Sequence, residues 1–247
     1  MKDNFSHQSA EYAKFRPHYP DALIDYVVSF VNNREMALDM ATGSGQVAQK
    51  LSLFFKTVYA TDLSEAQLAN AIPVSNVIYK KETAEHTQFS NSQFDLITVA
   101  QAIHWFNFND FYNEIYRILK PHGVFAVLGY GLFSTNSESD EILMDYYHNI
   151  VGPYWDPERR YLDEGYETIP FPFSEIQTKK FSNHFTWTFE QLIGYLETWS
   201  AGRHYKAKTG KNPIDLIHAD LKKSWESNDK RVTFPLLLRI GKRLKTT

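Results

Sequence analysis

Asp39, the run Ala41-Thr42-Gly43-Ser44-Gly45 and Asp62 are the residues whose types and spacing most directly suggest chemistry in this chain. Asp39 lies in the short apolar segment Ala37-Leu38-Asp39-Met40, and Asp62 ends another, Thr57 to Thr61. Two glycines two apart let the backbone turn tightly and keep Cβ atoms away from a ligand. A helix opening at Gln46-Val47-Ala48 would present N–H groups and a positive dipole end to a polar or anionic ligand. Asp62 follows at about the interval of an acid that takes ribose hydroxyls in nucleotide-binding folds. Gly43 to Ala48 also fits G-x-G-x-x-A, the dinucleotide fingerprint, so the turn alone leaves the nucleoside open. Asp39 tips the balance. A carboxylate two residues before the turn would repel a pyrophosphate, whereas a cationic or zwitterionic ligand tolerates it. Further on, Gln101 and His104 follow another apolar run, and His104 offers an imidazole as a general base or a substrate hydrogen-bond partner. The sequence offers no nucleophile triad, paired catalytic acids or metal-ligand cluster. That suits a reaction driven by positioning.

The elements that must hold these residues follow from periodicity. Leu23, Ile24, Val27, Val28 and Val31 share one face of a helix over 21–31. Strands are predicted from Leu38, over 57–61, 76–79 and 94–100, and over 123–129. The near-continuous apolar run Phe94 to Ala100 suits a parallel strand buried on both faces. Helices are predicted from Val47 to Phe55, from the Ser64–Gln67 capping pair to Ile72, and along the stripe Phe108 to Leu119 that Pro121 ends. This alternation argues a parallel sheet with helices on both faces, and it places Gln101 and His104 at the carboxyl ends of strands, where such sheets bind ligands. After Gly131 the pattern changes. A helix over 137–151 precedes a segment, Gly152 to Phe173, rich in Pro, Tyr, Trp and charge, which reads as a lid or specificity insert. A strand over 181–188, helices over 189–200 and 213–227, and a final strand within 232–244 complete the chain.

Composition bounds the partners. The 247 residues carry 26 basic and 29 acidic side chains, a net charge of −3, and give no electrostatic case for nucleic acid. Cysteine is absent, in keeping with a reducing compartment. The first residues lack the apolar stretch of a signal peptide, and no apolar run is long enough to span a bilayer. The expectation is a cytoplasmic protein acting on a small molecule rather than on nucleic acid or a membrane. The pattern is equally compatible with a monomer and a dimer.

The motifs Asp39-Met40-Ala41-Thr42-Gly43-Ser44-Gly45, Asp62-Leu63-Ser64, Phe94-Asp95-Leu96-Ile97 and Leu119-Lys120-Pro121-His122-Gly123 together resemble the class I S-adenosylmethionine-dependent methyltransferases, type 11-like. More narrowly, the segments Tyr12 to Pro20, Gln101 to Phe106, Thr198 to Ala201 and Phe234 to Arg239 resemble the branch that includes trans-aconitate methyltransferases. The resemblance covers nearly the whole chain. It implies a Rossmann-like, doubly wound, mostly parallel seven-stranded α/β sheet with an antiparallel edge strand and a helical lid. It divides the chain into an N-terminal cap (1–36), a cofactor-binding core (37–131), a lid or specificity insert (132–173) and a C-terminal completion of the sheet (174–247).

On that resemblance the cofactor is S-adenosyl-L-methionine and the product S-adenosyl-L-homocysteine. Asp39, Ala41, Thr42, Gly43, Gly45, Asp62, Leu63, Gln67, Gln101 and Ala102 would line its site. Thr83, Ala84 and Glu85 would border the adenine, and Tyr12 and Arg16 would close over it. Ala41 stands where many relatives have glycine and is expected to be tolerated at negative φ. Gln67 stands where they often have methionine. Tyr19, Trp105, Tyr130, Trp155, Arg160, Trp199 and Arg203 are candidates for the acceptor site, and Arg159, Tyr161, His204 and Tyr205 belong to the same aromatic-basic clusters. The expected activity is methyl transfer to a small molecule, a carboxylic acid among the candidates. The alternatives are a nicotinamide-dependent oxidoreductase and a non-catalytic relative that only binds the cofactor.

Overall fold

Two neighbouring parallel strands, each with one acid near its carboxyl end, organise the molecule. The computed structural model describes residues 15–176 and 179–243. Tyr12, expected to close over the cofactor, lies outside them. In chain order, α1 (Asp21–Val28) leads into β1 (Met36–Met40), α2 (Gln46–Leu51), β2 (Thr57–Asp62), α3 (Glu65–Ala69), β3 (Val77–Lys81) and β4 (Phe94–Ala100). α4 (Phe108–Ile118) and β5 (Leu119–Tyr130) follow. β1 to β5 form a parallel array in the order β3-β2-β1-β4-β5. The order reverses between β1 and β4, and such a switch point opens a crevice at the carboxyl ends of the strands. β1 and β4 are buried almost throughout, as their apolar runs require.

The second half closes the sheet. α5 (Ser137–Asp145) runs on into one wide turn over Tyr146–Ile150, so the helical stretch expected there forms with a looser end. Short turns and α6 (Arg160–Asp163) make up the insert. β6 (Ser174–Ile176), β7 (Phe181–Thr186), α7 (Phe189–Glu197), α8 (Ser200–Thr209), α9 (His218–Glu226) and β8 (Arg231–Lys242) complete the chain. β8 runs antiparallel beside β5, and its far edge pairs with both β6 and β7. Seven strand positions are therefore filled by eight strands, the seventh being shared by β6 and β7. The sequence reading lacked β6, three residues with no period of their own, and α8, whose basic run Arg203 to Lys211 has a weak apolar face. Among the described residues no helix is long and apolar enough to cross a membrane.

Aromatic packing joins the two halves. Phe133, Trp187, Tyr195, Trp199 and Phe234 form one buried cluster between the end of β5 and the C-terminal helices. The insert folds back onto β5 at Gly129. A Cβ there would lie 2.6 Å from the ring of Tyr166, so glycine is what lets Tyr166 pack against the strand. Gly129→Ala should therefore lower unfolding free energy by about 1–3 kcal/mol, measured by urea titration. A substitution that left stability unchanged would mean that Tyr166 is not clamped there.

Candidate functional site

The turn between β1 and α2 is left-handed at three alternate residues: Ala41 (φ 54°), Gly43 (φ 59°) and Gly45 (φ 84°). Ala41 was expected to be tolerated on condition that its φ be negative. Its φ is instead positive, because the chain must leave β1 in the same path a glycine would take there, and alanine pays the steric cost of that conformation. Two carboxylates brace the turn. Asp62, at the end of β2, accepts the Gly43 N–H at 2.9 Å and the Ser64 N–H at 2.8 Å. Asp39 lies beneath, 1% exposed, and accepts from the Thr42 hydroxyl and, at 2.8 Å, from Thr98. Asp39 thus supports the turn from below and does not form the cleft wall. Burial, only partly offset by hydrogen bonds from Thr42 and Thr98, pushes its carboxyl up to about 6.

Gly45 also has a different job from the one expected. It is not on the cleft wall. A Cβ there would lie 2.5 Å from the Tyr79 hydroxyl, so Gly45 makes room for a side chain of β3, not for a ligand. Gly43 is the glycine that faces the cleft.

That cleft has a volume of about 900 Å³ and sits at the switch point. Ala41, Thr42, Gly43, Ser44, Gln46 and Val47 form one wall, Asp62, Leu63, Ser64 and Gln67 a second, and Ala100, Gln101, Ala102 and Trp105 a third. Arg16, Pro17, Tyr19 and Tyr130 complete it. Gln67 is buried, and its N–H donates to the Ser64 hydroxyl at the start of α3. Thr83, Ala84 and Glu85 do not reach the wall. Thr83 bonds to the His86 carbonyl, Ala84 is buried in the core, and Glu85 accepts the Asn107 N–H. Gln101 holds a strained backbone (φ 54°) with its amide donating to the Tyr130 carbonyl, 3.0 Å away. Two of the six left-handed non-glycine residues among the described ones, Ala41 and Gln101, therefore line one cleft, a common mark of a ligand site.

A second cavity of about 470 Å³ adjoins the first, sharing Arg16, Gln101 and Trp105 with it. His104, Trp155, Asp156, Arg159, Leu162 and Ser200 complete its lining. His104 is buried, and its Nδ1 lies 3.2 Å from the Tyr166 hydroxyl. Burial first, then the Arg159 and Arg16 charges, push its pKa down to about 3, so the imidazole is neutral at physiological pH. Arg16 donates to the Tyr130 hydroxyl and to the Thr198 carbonyl, which ties the N-terminal arm to the end of α7. Arg159 lies over Trp155, its guanidinium 4.6 Å from the ring centroid, and donates through Nε to Tyr147 and Asp163.

Five expected acceptor-site residues stay outside this cavity; two of them, Tyr19 and Tyr130, line only the first cleft. Arg160 is exposed and folds over its neighbour Tyr161, so the insert directs Arg159 inward instead. Trp199 is fully packed against Trp155, Tyr147 and Tyr146. Arg203 lines a separate cavity of about 630 Å³ with Tyr146, Leu196 and Lys206. Three lining residues, Asp156, Leu162 and Ser200, and the buried Tyr166 behind His104 were not singled out from the sequence. Nothing in their local pattern marks them, because only the folding of the insert against the start of α8 brings them together.

The residues present fit an adenosine-bearing sulfonium. The cleft opens at the switch point of the sheet, a carboxylate ends β2, and Gly43 of the turn beside it faces the cleft. Asp62 stands on the cleft wall and accepts the Gly43 and Ser64 N–H groups there.

Comparison with known proteins agrees. The methyltransferase domain family matches residues 38–127. A Dictyostelium discoideum protein named as a methyltransferase is 33% identical over 250 residues, covering 98% of this chain and 95% of that one. A structure from Anaeromyxobacter dehalogenans, provisionally described as a type II methyltransferase, superposes with a TM-score of 0.85 at 36% identity, covering 94% of this chain and all of that one. Haemonchus contortus phosphoethanolamine N-methyltransferase 2, in complex with S-adenosyl-L-methionine, shares the fold (TM-score 0.51, 20% identity, 97% of this chain and 57% of that one).

Asp39 gives the site a pH signature. Its folded pKa of about 6 exceeds the ordinary 3.8, so its contribution favours the folded state at low pH and is lost as pH rises from about 4 through 6. The stability advantage of Asp39→Asn over the natural protein should grow by about 2 kcal/mol between pH 4 and pH 7, as read by urea unfolding. A pH-independent difference would mean that Asp39 is solvated or paired in the folded state.

Proposed function

The chain belongs to the class I S-adenosylmethionine-dependent methyltransferases, and from that premise we propose that it methylates a small molecule bearing a carboxylate. The nicotinamide-dependent oxidoreductase reading of the same turn is set aside by that membership. The observation that carries the acceptor proposal is the pair of guanidinium-bearing side chains, Arg16 and Arg159, on a cavity that opens onto the cofactor cleft. Guanidinium groups pair with carboxylates in a fixed, two-pronged geometry. Arg159 engages protein partners through Nε, and its two terminal nitrogens make no hydrogen bond among the described residues. The cavity's confined lining suits a small molecule rather than a macromolecule.

His104 supports the same reading. An imidazole whose conjugate acid has a pKa of about 3 is a weak base and does little for a phenol or an amine. A carboxylate is already ionised and needs no base. The bound cofactor supplies a sulfonium methyl group and a thioether leaving group. The protein's part is to place the acceptor oxygen in line with it and to exclude water. In this reading Asp62 takes the ribose hydroxyls, Gly43 and Leu63 flank the nucleoside, and Gln101, Ala102 and Trp105 separate cofactor from acceptor. His104 is a neutral hydrogen-bond partner, oriented by Tyr166. Residues 37–131 act as the cofactor-binding core and 132–173 as the specificity insert. The resemblance to the trans-aconitate branch also favours an acid as the first acceptor class to test.

Methyl-labelled cofactor with a panel of small carboxylic acids should give alkali-labile methyl esters. Transfer only to amines or phenols would contradict the acid reading. Separately, Asp62→Ala should weaken S-adenosylhomocysteine binding by at least about tenfold in calorimetry, the cost of one or two hydrogen bonds to a charged group. An unchanged affinity would place the ribose elsewhere.

A further inference from the structure

We propose that Asp156 is a second recognition point in the acceptor cavity, and that the natural acceptor carries a hydroxyl or ammonium group that donates to it. This rests on the reading of the adjoining cavity as the acceptor site, and it narrows the acceptor from a carboxylic acid to a hydroxy or amino acid.

Asp156 and Arg159 leave the same tight turn of the insert, closed by the Arg159 N–H on the Asp156 carbonyl at 2.9 Å. Both side chains line the acceptor cavity. The Asp156 Oδ2 atom is shut off from solvent, yet it accepts no hydrogen bond. The His204 Nδ1 atom is 3.9 Å away, beyond hydrogen-bond range, and that nitrogen is 3.0 Å from the Tyr154 carbonyl. Arg159 does not serve it either, since Nε is directed to Tyr147 and Asp163. A buried acceptor without a donor costs free energy, and proteins retain such atoms where something else fills the gap. Here the residue belongs to the wall of a cavity, and a cavity occupant reaching the carboxylate would supply the missing donor. The cavity thus offers both signs from one turn: a guanidinium for the acid group and a carboxylate for a donor. An acceptor with both groups meets both, whereas a plain acid leaves Asp156 unsatisfied and is disfavoured on that account.

The test uses four small aromatic compounds that differ in two groups: mandelate, phenylacetate and their two carboxamides. Each is titrated by calorimetry into the full-length protein loaded with S-adenosylhomocysteine. Mandelate should bind at least about tenfold more tightly than phenylacetate, the range for a hydrogen bond to a charged group. In Asp156→Ala this preference should shrink to within about twofold, while phenylacetate binding persists and shows that the cavity is intact. Asp156→Asn, which keeps one carbonyl acceptor, should retain part of the preference. A hydroxyl preference absent in the natural protein, a preference equal in Asp156→Ala, or no binding by any of the four overturns the role given to Asp156. The acid reading is scored on the other axis. If the carboxamides bind as well as the acids, that reading falls, and the hydroxyl effect still reports on Asp156.

Discussion

The backbone from Ala41 to Gly45 turns left-handed at every second residue, and two carboxylates keep it there. Such a path is unfavourable for an ordinary side chain, so something must over-determine it. Asp62 does so from the side by accepting the Gly43 N–H, and Asp39 does so from below through Thr42 and Thr98. The cost is visible in Asp39, a buried carboxylate whose pKa rises to about 6. The gain is a cleft wall made of backbone at the one place where the sheet order reverses. Everything else in the site is arranged around that wall.

The two cavities divide the chemistry. The first is built by the parallel half of the sheet, and its polar groups suit a nucleoside. The second is built where the insert returns over β4 and β5, and it holds charged groups of both signs. Arg16, Gln101 and Trp105 belong to both, so they stand where two ligands would meet. His104 is kept neutral behind them by burial and by two guanidinium groups. That environment would be a poor choice for proton removal and a reasonable one for holding a substrate that is already nucleophilic. The insert is tied down by Tyr166 on Gly129 and by Arg239, which donates to the Tyr166 and Ile169 carbonyls.

Much of this was legible in the sequence where local chemistry and long-range geometry coincide. The β1–α2 turn, Asp62 and the buried run Phe94 to Ala100 each announce themselves by composition, and their order alone argues the parallel sheet. Reading roles was harder. Gly45 looks like a ligand contact, yet it is glycine because Tyr79 occupies the space of a side chain. Asp39 looks like a cofactor contact, yet it works beneath the turn. Of the neighbours Arg159 and Arg160, sequence gives no reason to choose, because a four-residue helix with no marked apolar face decides which one points inward. Asp156, Ser200 and Tyr166 come from segments without periodicity and meet only in the folded chain. β6 escaped for the same reason: three residues become a strand only because β8 leaves an edge open.

A crystal structure with S-adenosylhomocysteine bound tests the account most directly. The ribose hydroxyls should lie within hydrogen-bond distance of the Asp62 carboxylate, and the sulfur should face Gln101 and Trp105, aimed at the cavity that holds Arg159. A ribose away from Asp62, or a sulfur turned from that cavity, would contradict it.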